Sequence, residues 1–533
     1  MISDPWSDRP AWESDGLLFD GQNMSYSATQ NMNNIQYDIV IVGSGPGGAV
    51  AAERLAQAGL AVAIVEAGPL MTASDFTGSE SIYQHLYQDG MFRATADSGI
   101  HILQGACVGG SATVNWTSCF RLPQTTAQFW AEKYHINDLS SQLEPYYVEL
   151  EKYLNVKPWL NAPNNNNEIL QKGTQQLGWS SGVIQRNVKE CWDLGYCGLG
   201  CPTNAKQSPL VTFIPQALKH GAHLYFNTQV KRLIYDKGQV SGVYCEIASF
   251  GKKSELPLKA RHVVLAGGAI NTPAILMRSQ LDKLNPNIGR RTFLHPGAVC
   301  LAQFDFPING SSGAPQSIYS DEFLWPDISA ARCGFKMEAV PLQAGFASGL
   351  LGRHGNHQFE DMQLLSHTHA MISLLRDGFE TESQGGIVQV NGSRSIKLYY
   401  PVSALASNTF KFAIRSMAQC QFAAGAQRVR PSHLQANQWF ASIQELDAFL
   451  NNASYDPARL SLGSAHVMGG CPMSGYNYND SQAGVVDLNG IFNQIKGLSV
   501  ADASVFPTSL GVNPQLTIMA MSAMLSDNLA KNF

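Results

Sequence analysis

The chain alternates between short, unbroken apolar runs and stretches whose apolar positions recur every three or four residues. Residues 37–42, YDIVIV, are apolar and β-branched with almost no polar relief, which predicts a strand buried on both faces. GSGPGG follows at 43–48, then AVAAERLAQAGL at 49–60 with apolar positions at helical spacing. AVAIVEAG at 61–68 reads as a second buried strand. Together these make one β-α-β unit.

Further on, HLYFNTQVKRLIYDKGQVSGVYCEI (223–247) reads as strands about a KGQ turn, and HVVLAGG (262–268) as another buried strand. Residues 300–460 are less sharply patterned, with alternating runs such as GIVQVNGSRSIKLYY at 386–400, so antiparallel sheet is expected there. NAPNNNN at 161–167 and PINGSSGAPQS at 307–317 read as loops between domains. The polar stretch 1–36 reads as an extended arm, with order beginning at Tyr37. No internal repeat stands out.

Length and composition narrow the class. At 533 residues the chain has room for three or four domain-sized units of about 150 residues. Its 36 basic and 41 acidic residues leave a net charge of −5 and no basic face, which argues against nucleic acid. The apolar run QLTIMAMSAML near the C-terminus falls short of the roughly 20 residues that cross a bilayer. The acidic N-terminus carries no signal-like apolar segment, so a cytoplasmic protein is expected, with peripheral membrane association left open. Ten cysteines in this length are not a disulfide scaffold.

Gly43, Gly45 and Gly48 form G-x-G-x-x-G between a strand and a helix, with Ser44 and Pro46 inside the turn. The first glycine permits the turn, the second a close approach to a pyrophosphate, the third helix-strand packing; phosphates would sit at the helix N-terminus. Glu66 closes the second strand 23 residues after Gly43, where a carboxylate suits ribose hydroxyls; Ala67 follows it. NAD and FAD both fit this unit. No second mononucleotide half follows directly, which favours FAD.

Four blocks resemble the glucose–methanol–choline (GMC) oxidoreductase family: VGSGPGGAVAAERLAQAGLAVAIVEAG, GACVGGSATVNWTSCFRLP (105–123), VLAGGAINTPAILMRS (264–279) and VADASVFPTSLGVNPQLTIMA near the C-terminus. They span most of the chain. The resemblance implies an α/β fold, α+β overall: a Rossmann-like FAD-binding domain joined to a second, antiparallel-sheet substrate domain. The corresponding division is an arm at 1–36, an FAD-binding domain at 37–155, 205–300 and 460–533, and a substrate domain at 156–204 and 301–459. It implies oxidation of an alcohol by hydride transfer to flavin. Carried over by position, Gly109, Gly110, Ser111, Asn115 and Trp116 match the stretch along flavin and pyrophosphate. Val230 matches a position whose backbone meets adenine, and Ala266, Gly267 and Ala269 a turn near the cofactor. Asp502, Ala503, Asn513, Pro514 and Gln515 match the C-terminal stretch beside it. Some members tether FAD through a histidine where this chain has Val114, so non-covalent FAD is expected.

GSAHVMGGCPMS at 463–474 surrounds His466 with small and apolar residues. By itself such a histidine is as well read as a quiet core residue. The resemblance places it where the family carries its active-site histidine, with Asn513 where the family has a second histidine or an asparagine. An imidazole can take the hydroxyl proton as hydride leaves, and an amide can donate to the developing alkoxide. Asn513 also precedes Pro514 and a helical pattern, so simple helix capping is the rival reading.

CWDLGYCGLGCPTNAKQSP (191–209) and FAAGAQRVRPSH (422–433) resemble the long-chain alcohol oxidases and dehydrogenases of the family, which favours a hydrophobic alcohol. Sugar or sterol alcohols stay open, as do a hydroxynitrile-lyase-type reaction and a non-catalytic flavin subunit. Oxygen or a quinone-like carrier would reoxidise the flavin. Cys191, Cys197 and Cys201 are read as free packed thiols, with a disulfide or a metal site as alternatives. No metal is expected there or at His354, His357, His367 and His369.

Overall fold

Strands Leu18–Asp20, His223–Phe226, Val62–Val65, Gln36–Val42, Lys252–Leu265 and Leu498–Val500 run parallel in one twisted sheet of the computed structural model, which describes residues 4–24, 32, 35–249, 251–326, 332–392, 395–477 and 483–533. Their register decides where ligand chemistry can sit. Val42 pairs with Leu265 on one side and Val65 on the other, Val65 with Tyr225, and Leu265 with Val500. The chain therefore leaves the sheet at Gly43, Glu66, Ala266 and Ala501 along one edge, the carboxyl ends, where open α/β sheets bind ligands. Gly43 has φ +102°, and a Cβ there would stand 2.3 Å from the Ala266 carbonyl oxygen, so only glycine makes this turn.

Helix Pro46–Gln57 starts directly after it, with proline in its first turn, and packs against Gln515–Lys531 and Phe213–Lys219. Ser522 Oγ donates to the Gly47 carbonyl at 2.7 Å, fixing the C-terminal helix to the nucleotide turn. Lys252–Leu265 does two jobs. Its first half pairs antiparallel with Gln239–Ser249, which pairs with Thr228–Asp236; its second half is the parallel strand between Gln36–Val42 and Leu498–Val500.

The second sheet runs Ile100–Ile102, Leu462–Ser464, Gly297–Gln303, Thr368–Arg376, Gly334–Ala339, Ile318–Phe323 and Gly182–Val183, with Arg428–Pro431 also paired to Gly297–Gln303. From Gly297–Gln303 onward its pairs are antiparallel. Side chains alternate across it. Phe335, Met337, Cys300 and Met371 face helices Asn165–Leu177 and Ala404–Ala423 in one apolar cluster, while Val299, Ile372, Leu374 and Glu338 line a cavity on the opposite face.

Three sequence expectations meet a different structure. Residues 4–24 are not an extended arm: Trp6 and Trp12 are buried edge to face, Trp6 Nε1 donates to the Leu210 carbonyl at 2.9 Å, and Leu18–Asp20 joins the first sheet. The rest of the arm, 1–3, 25–31 and 33–34, lies outside the described residues. The NNNN tract is a helix start, since Asn164 Oδ1 caps Asn167 N at 3.0 Å and Asn165–Leu177 follows. Finally, Ile100–Ile102 and Leu462–Ser464 lie in the second sheet, although the sequence division gave both to the first domain. No helix among the described residues is long and apolar enough to cross a membrane.

Candidate active site

A single cavity of about 850 Å³ begins at the carboxyl ends of the parallel strands and extends beneath the second sheet. Gly43, Gly45, Pro46, Glu66 and Ala67 line its nucleotide end with Val230, Ala266, Gly267 and Ala269. Gly110, Ser111, Val114, Asn115 and Trp116 form one wall, and Asp502, Ala503, Asn513, Pro514 and Gln515 another. His466 opens onto the same space. Three sequence-singled residues do not line it. Ser44 lies behind the turn, where its hydroxyl donates to Glu66 Oε2 at 2.7 Å and accepts from Gly109 N at 3.0 Å. Gly48 packs on the Gly43 carbonyl, and Gly109 against Thr113 and Leu210.

The fit of this end to a dinucleotide can be read from the glycines. The two loops touch at Gly45 and Gly110: a Cβ on Gly110 would lie 2.6 Å from Gly45 Cα, whereas a Cβ on Gly45 would meet only Gly110 Cα at 3.9 Å and otherwise stand in the open cavity that both residues line. Glu66 is buried, with Oε2 accepting from Ser44 and Oε1 from Gly68 N at 2.9 Å. Burial pushes its carboxyl up while those donors pull it back, and an ionised carboxylate with about four acceptor sites keeps one free for a ribose hydroxyl. Asp502 is bonded inward, to Gly268 N, Thr272 Oγ1 and Ser504 N. It therefore anchors the start of helix Gly268–Arg278 while closing the cavity's edge.

A separate two-stranded ladder, Thr292–Leu294 with Val467–Gly469, brings a partner to His466 that the sequence did not reveal. Leu294 pairs with Val467, so the next residue out on each strand, His295 and His466, are neighbours. Their Nδ1 atoms lie 2.9 Å apart. His295 Nε2 accepts the backbone N–H of Gly511 at 3.0 Å. Burial pushes His466 down to about 4, and burial together with His466 and Lys336 pushes His295 down as well, so both rings are neutral near pH 7. A neutral His295 that accepts at Nε2 carries its proton on Nδ1 and donates it to His466 Nδ1. With that tautomer the His466 proton sits on Nε2 and the ring would donate to a ligand; the expected role as acceptor of the substrate proton goes with the other tautomer.

Asn513 does not cap the C-terminal helix, which begins at Gln515 after Pro514 with no side-chain cap. Its Nδ2 instead points at Glu338 Oε2, 3.4 Å away, and Gln316 Nε2 donates to the same oxygen at 2.7 Å. Glu338 Oε1 and Asn513 Oδ1 are buried without a hydrogen-bond partner among the described residues. Burial drives the Glu338 carboxyl up to about 7 against the pull of Lys336 and Asn513. Lys336, two residues back on the same face, is wholly buried, paired with Asp321, and sits over the Tyr319 ring at 3.7 Å. Glu338 was missed for a physical reason. In GFKMEA the charged residues alternate with Phe335 and Met337, as they do in any sheet with one wet face; here that face looks into the cavity.

Cys191, Cys197 and Cys201 are half-buried and unpaired, and every cysteine of the chain is a free thiol. Among the described residues no cluster of His, Cys, Asp or Glu is arranged to hold a metal ion. His369 is buried beside Gln421, whereas His354 and His357 are exposed, so the histidines at 354–369 form no common site.

Comparison with known proteins bears on this geometry. The GMC oxidoreductase models match residues 83–297 and 388–522, and a NAD(P)-binding Rossmann-like domain matches 41–106. The chain is 29% identical to long-chain-alcohol oxidase FAO3 of Arabidopsis thaliana, over 93% of this chain and 68% of that protein. It is 30% identical to long-chain-alcohol oxidase FAO4A of the same plant, over 94% and 70%. A variant of Aspergillus oryzae formate oxidase shares the fold, with TM-score 0.69, 18% identity and coverage of 93% and 98%. The chain belongs to the GMC oxidoreductase family and is an FAD-dependent oxidoreductase acting on CH–OH groups.

Proposed function

We propose that this protein oxidises a hydrophobic, long-chain alcohol to the carbonyl with non-covalently bound FAD. The observation that carries the reading is the continuity of one cavity. It joins the glycine-lined end at Gly45 and Gly110 to the polar group of His466, Asn513 and Glu338, and then to walls of Met91, Phe92, Phe346, Leu350 and Ile372. Gly43–Pro46 and Gly110–Asn115 would hold the pyrophosphate and flavin, Glu66 a ribose, and Val230 the adenine. Val114 offers no nucleophile for a covalent tether. The bound flavin supplies the hydride acceptor.

The protein's own residues do the rest. The apolar walls favour an alkyl chain over a sugar, because a sugar's hydroxyls would lose water without gaining partners there. They leave one hydroxyl to the polar end, where His466 Nε2–H and Asn513 Nδ2–H can donate to its oxygen. These donors strengthen as negative charge builds on that oxygen, which lowers the barrier in a water-poor site. Oxygen or a quinone-like carrier then reoxidises the cofactor. Anaerobic mixing of the yellow holoenzyme with primary alcohols of increasing length tests the reading. Faster bleaching with longer chains supports it; bleaching by a sugar alone contradicts it.

A further inference from the structure

Residues 197–209, CGLGCPTNAKQSP, pack behind the wall that Val114, Asn115 and Trp116 present to the cavity. A Cβ on Gly198 would stand 3.3 Å from Trp116 Nε1 and 3.9 Å from the Val114 carbonyl oxygen, so loop and wall are in contact. From this loop Lys206 reaches the wall itself. It is 2% exposed, and its Nζ donates to the carbonyls of Thr113 at 2.8 Å, Asn115 at 2.7 Å and Cys197 at 2.6 Å. Thr113 and Asn115 stand on either side of Val114, at the C-terminal end of helix Ser111–Val114. The lysine backbone is fixed in turn: its N–H donates to Cys201 Sγ at 3.4 Å, and the residue bridges to Val188.

Three carbonyl acceptors define the charge state of this side chain. An ammonium has three N–H donors and no acceptor, so it satisfies all three; a neutral amine would turn its lone pair on one of them. Burial pulls the ammonium down from its ordinary value, against which the three acceptors hold its proton. No carboxylate pairs with it among the described residues; the charged side chain nearby is a second cation, Arg186. Arg186 is 1% exposed, donates from Nε to Thr117 Oγ1 at 2.8 Å and lies over the Trp159 ring at 4.5 Å. One of its terminal nitrogens is buried without a partner among the described residues. Two buried cations thus stand behind one wall with no counter-charge from the fold. Holding carbonyls does not require this: a glutamine amide would donate to two of them without the cost of burying a charge.

We propose that Lys206 is a positioning residue of the flavin site: its ammonium fixes the Thr113–Asn115 wall and supplies the positive charge that stabilises bound FAD once the substrate's hydride has been transferred. The inference rests on the placement of FAD proposed above. A neutral isoalloxazine that accepts hydride gains one negative charge. That charge arises in a water-poor cavity, where a fixed buried ammonium is little screened by solvent or salt. The ammonium is in place before the hydride arrives and needs no reorganisation. It favours the reduced cofactor over the oxidised one and so raises the reduction potential.

The test measures the two-electron reduction potential of the holoenzyme by anaerobic equilibration with a redox dye, for wild type, Lys206→Gln and Lys206→Arg. Glutamine keeps two N–H donors for the wall and removes the charge; arginine keeps the charge. Lys206→Gln should make reduction at least about tenfold less favourable, which lowers the potential by about 30 mV. Lys206→Arg should stay close to wild type. Thermal unfolding of each holoenzyme is followed alongside, because a merely structural lysine would change the melting temperature and leave the potential alone. A folded, FAD-loaded Lys206→Gln with the wild-type potential overturns the inference. Equal lowering in both variants also counts against it, since charge would then not be the cause. If Lys206→Gln fails to hold FAD, the wild type decides. Its potential should fall by about 30 mV per pH unit into mildly acidic solution, because one proton accompanies two electrons when the reduced flavin stays anionic. Twice that slope, two protons for two electrons, would refute the proposed role. The potentials use a chemical reductant, so a holoenzyme that behaves as expected here but that no alcohol reduces contradicts the alcohol-oxidation reading alone. A chain that takes up no FAD contradicts both.

Discussion

Gly110 and Gly45 meet face to face: a Cβ on Gly110 would lie 2.6 Å from Gly45 Cα, whereas a Cβ on Gly45 would touch only Gly110 Cα at 3.9 Å. The two loops are more than sixty residues apart in the chain, and the absence of a side chain on Gly110 lets them touch at the glycine-lined end of the cavity. The asymmetry separates folding from binding. Gly110 also has φ +57°, so Gly110→Ala is strained as well as crowded.

Gly45→Ala should therefore fold as the wild type does yet bind FAD about tenfold or more weakly, about 1.4 kcal/mol. Thermal unfolding of the apoprotein and fluorescence titration with FAD check the two halves separately. Unchanged affinity would mean that the cofactor does not lie against Gly45.

Glu66→Gln should cost about 1–3 kcal/mol in apoprotein stability, because the new amide N–H group must face the Ser44 or Gly68 donors that the carboxylate now accepts. Denaturant unfolding measures it. A variant as stable as wild type would show that these buried donors find other partners.

Asn513→Asp sets a second carboxyl against Glu338, now 3.4 Å from the Asn513 amide. Two carboxylates in one buried site cannot both ionise easily, so the pair formed by Glu338 and the introduced carboxyl should retain a proton to higher pH. The carboxyl titration of this site, followed by infrared difference spectroscopy, should move upward from about 7 by about one unit or more. A titration that stays in place would mean that the two carboxyls do not share one site.

Gly349 lies on the cavity wall in helix Ala344–Leu351, and a Cβ there meets nothing within 4 Å. Gly349→Phe should project into the alkyl end without strain. It should raise KM for long-chain alcohols about tenfold and leave short ones nearly unaffected, as steady-state kinetics across chain lengths would show. An equal effect on all lengths would place the chain elsewhere.

The nucleotide end was legible because its signals are local. Gly43 and Glu66 each follow directly on an unbroken apolar run, so strand, turn and acid appear in chain order. The polar end was legible only in part. His466 and Asn513 stand in motifs, but what each touches is set by pairings across the fold: Leu294 with Val467 for His295, and Gly334–Ala339 beside Thr368–Arg376 for Glu338. The N-terminal stretch was misread because polarity hid its two buried anchors, Trp6 and Trp12, the first of them bonded to Leu210, 204 residues further along the chain.

The most direct test is a single anaerobic turnover with a long-chain primary alcohol carrying deuterium on its reacting carbon. If that carbon surrenders hydride inside this cavity, bleaching is complete, yields one aldehyde per flavin, and slows several-fold on deuteration. A flavin that stays yellow with every chain length, or bleaches without forming a carbonyl, contradicts the account.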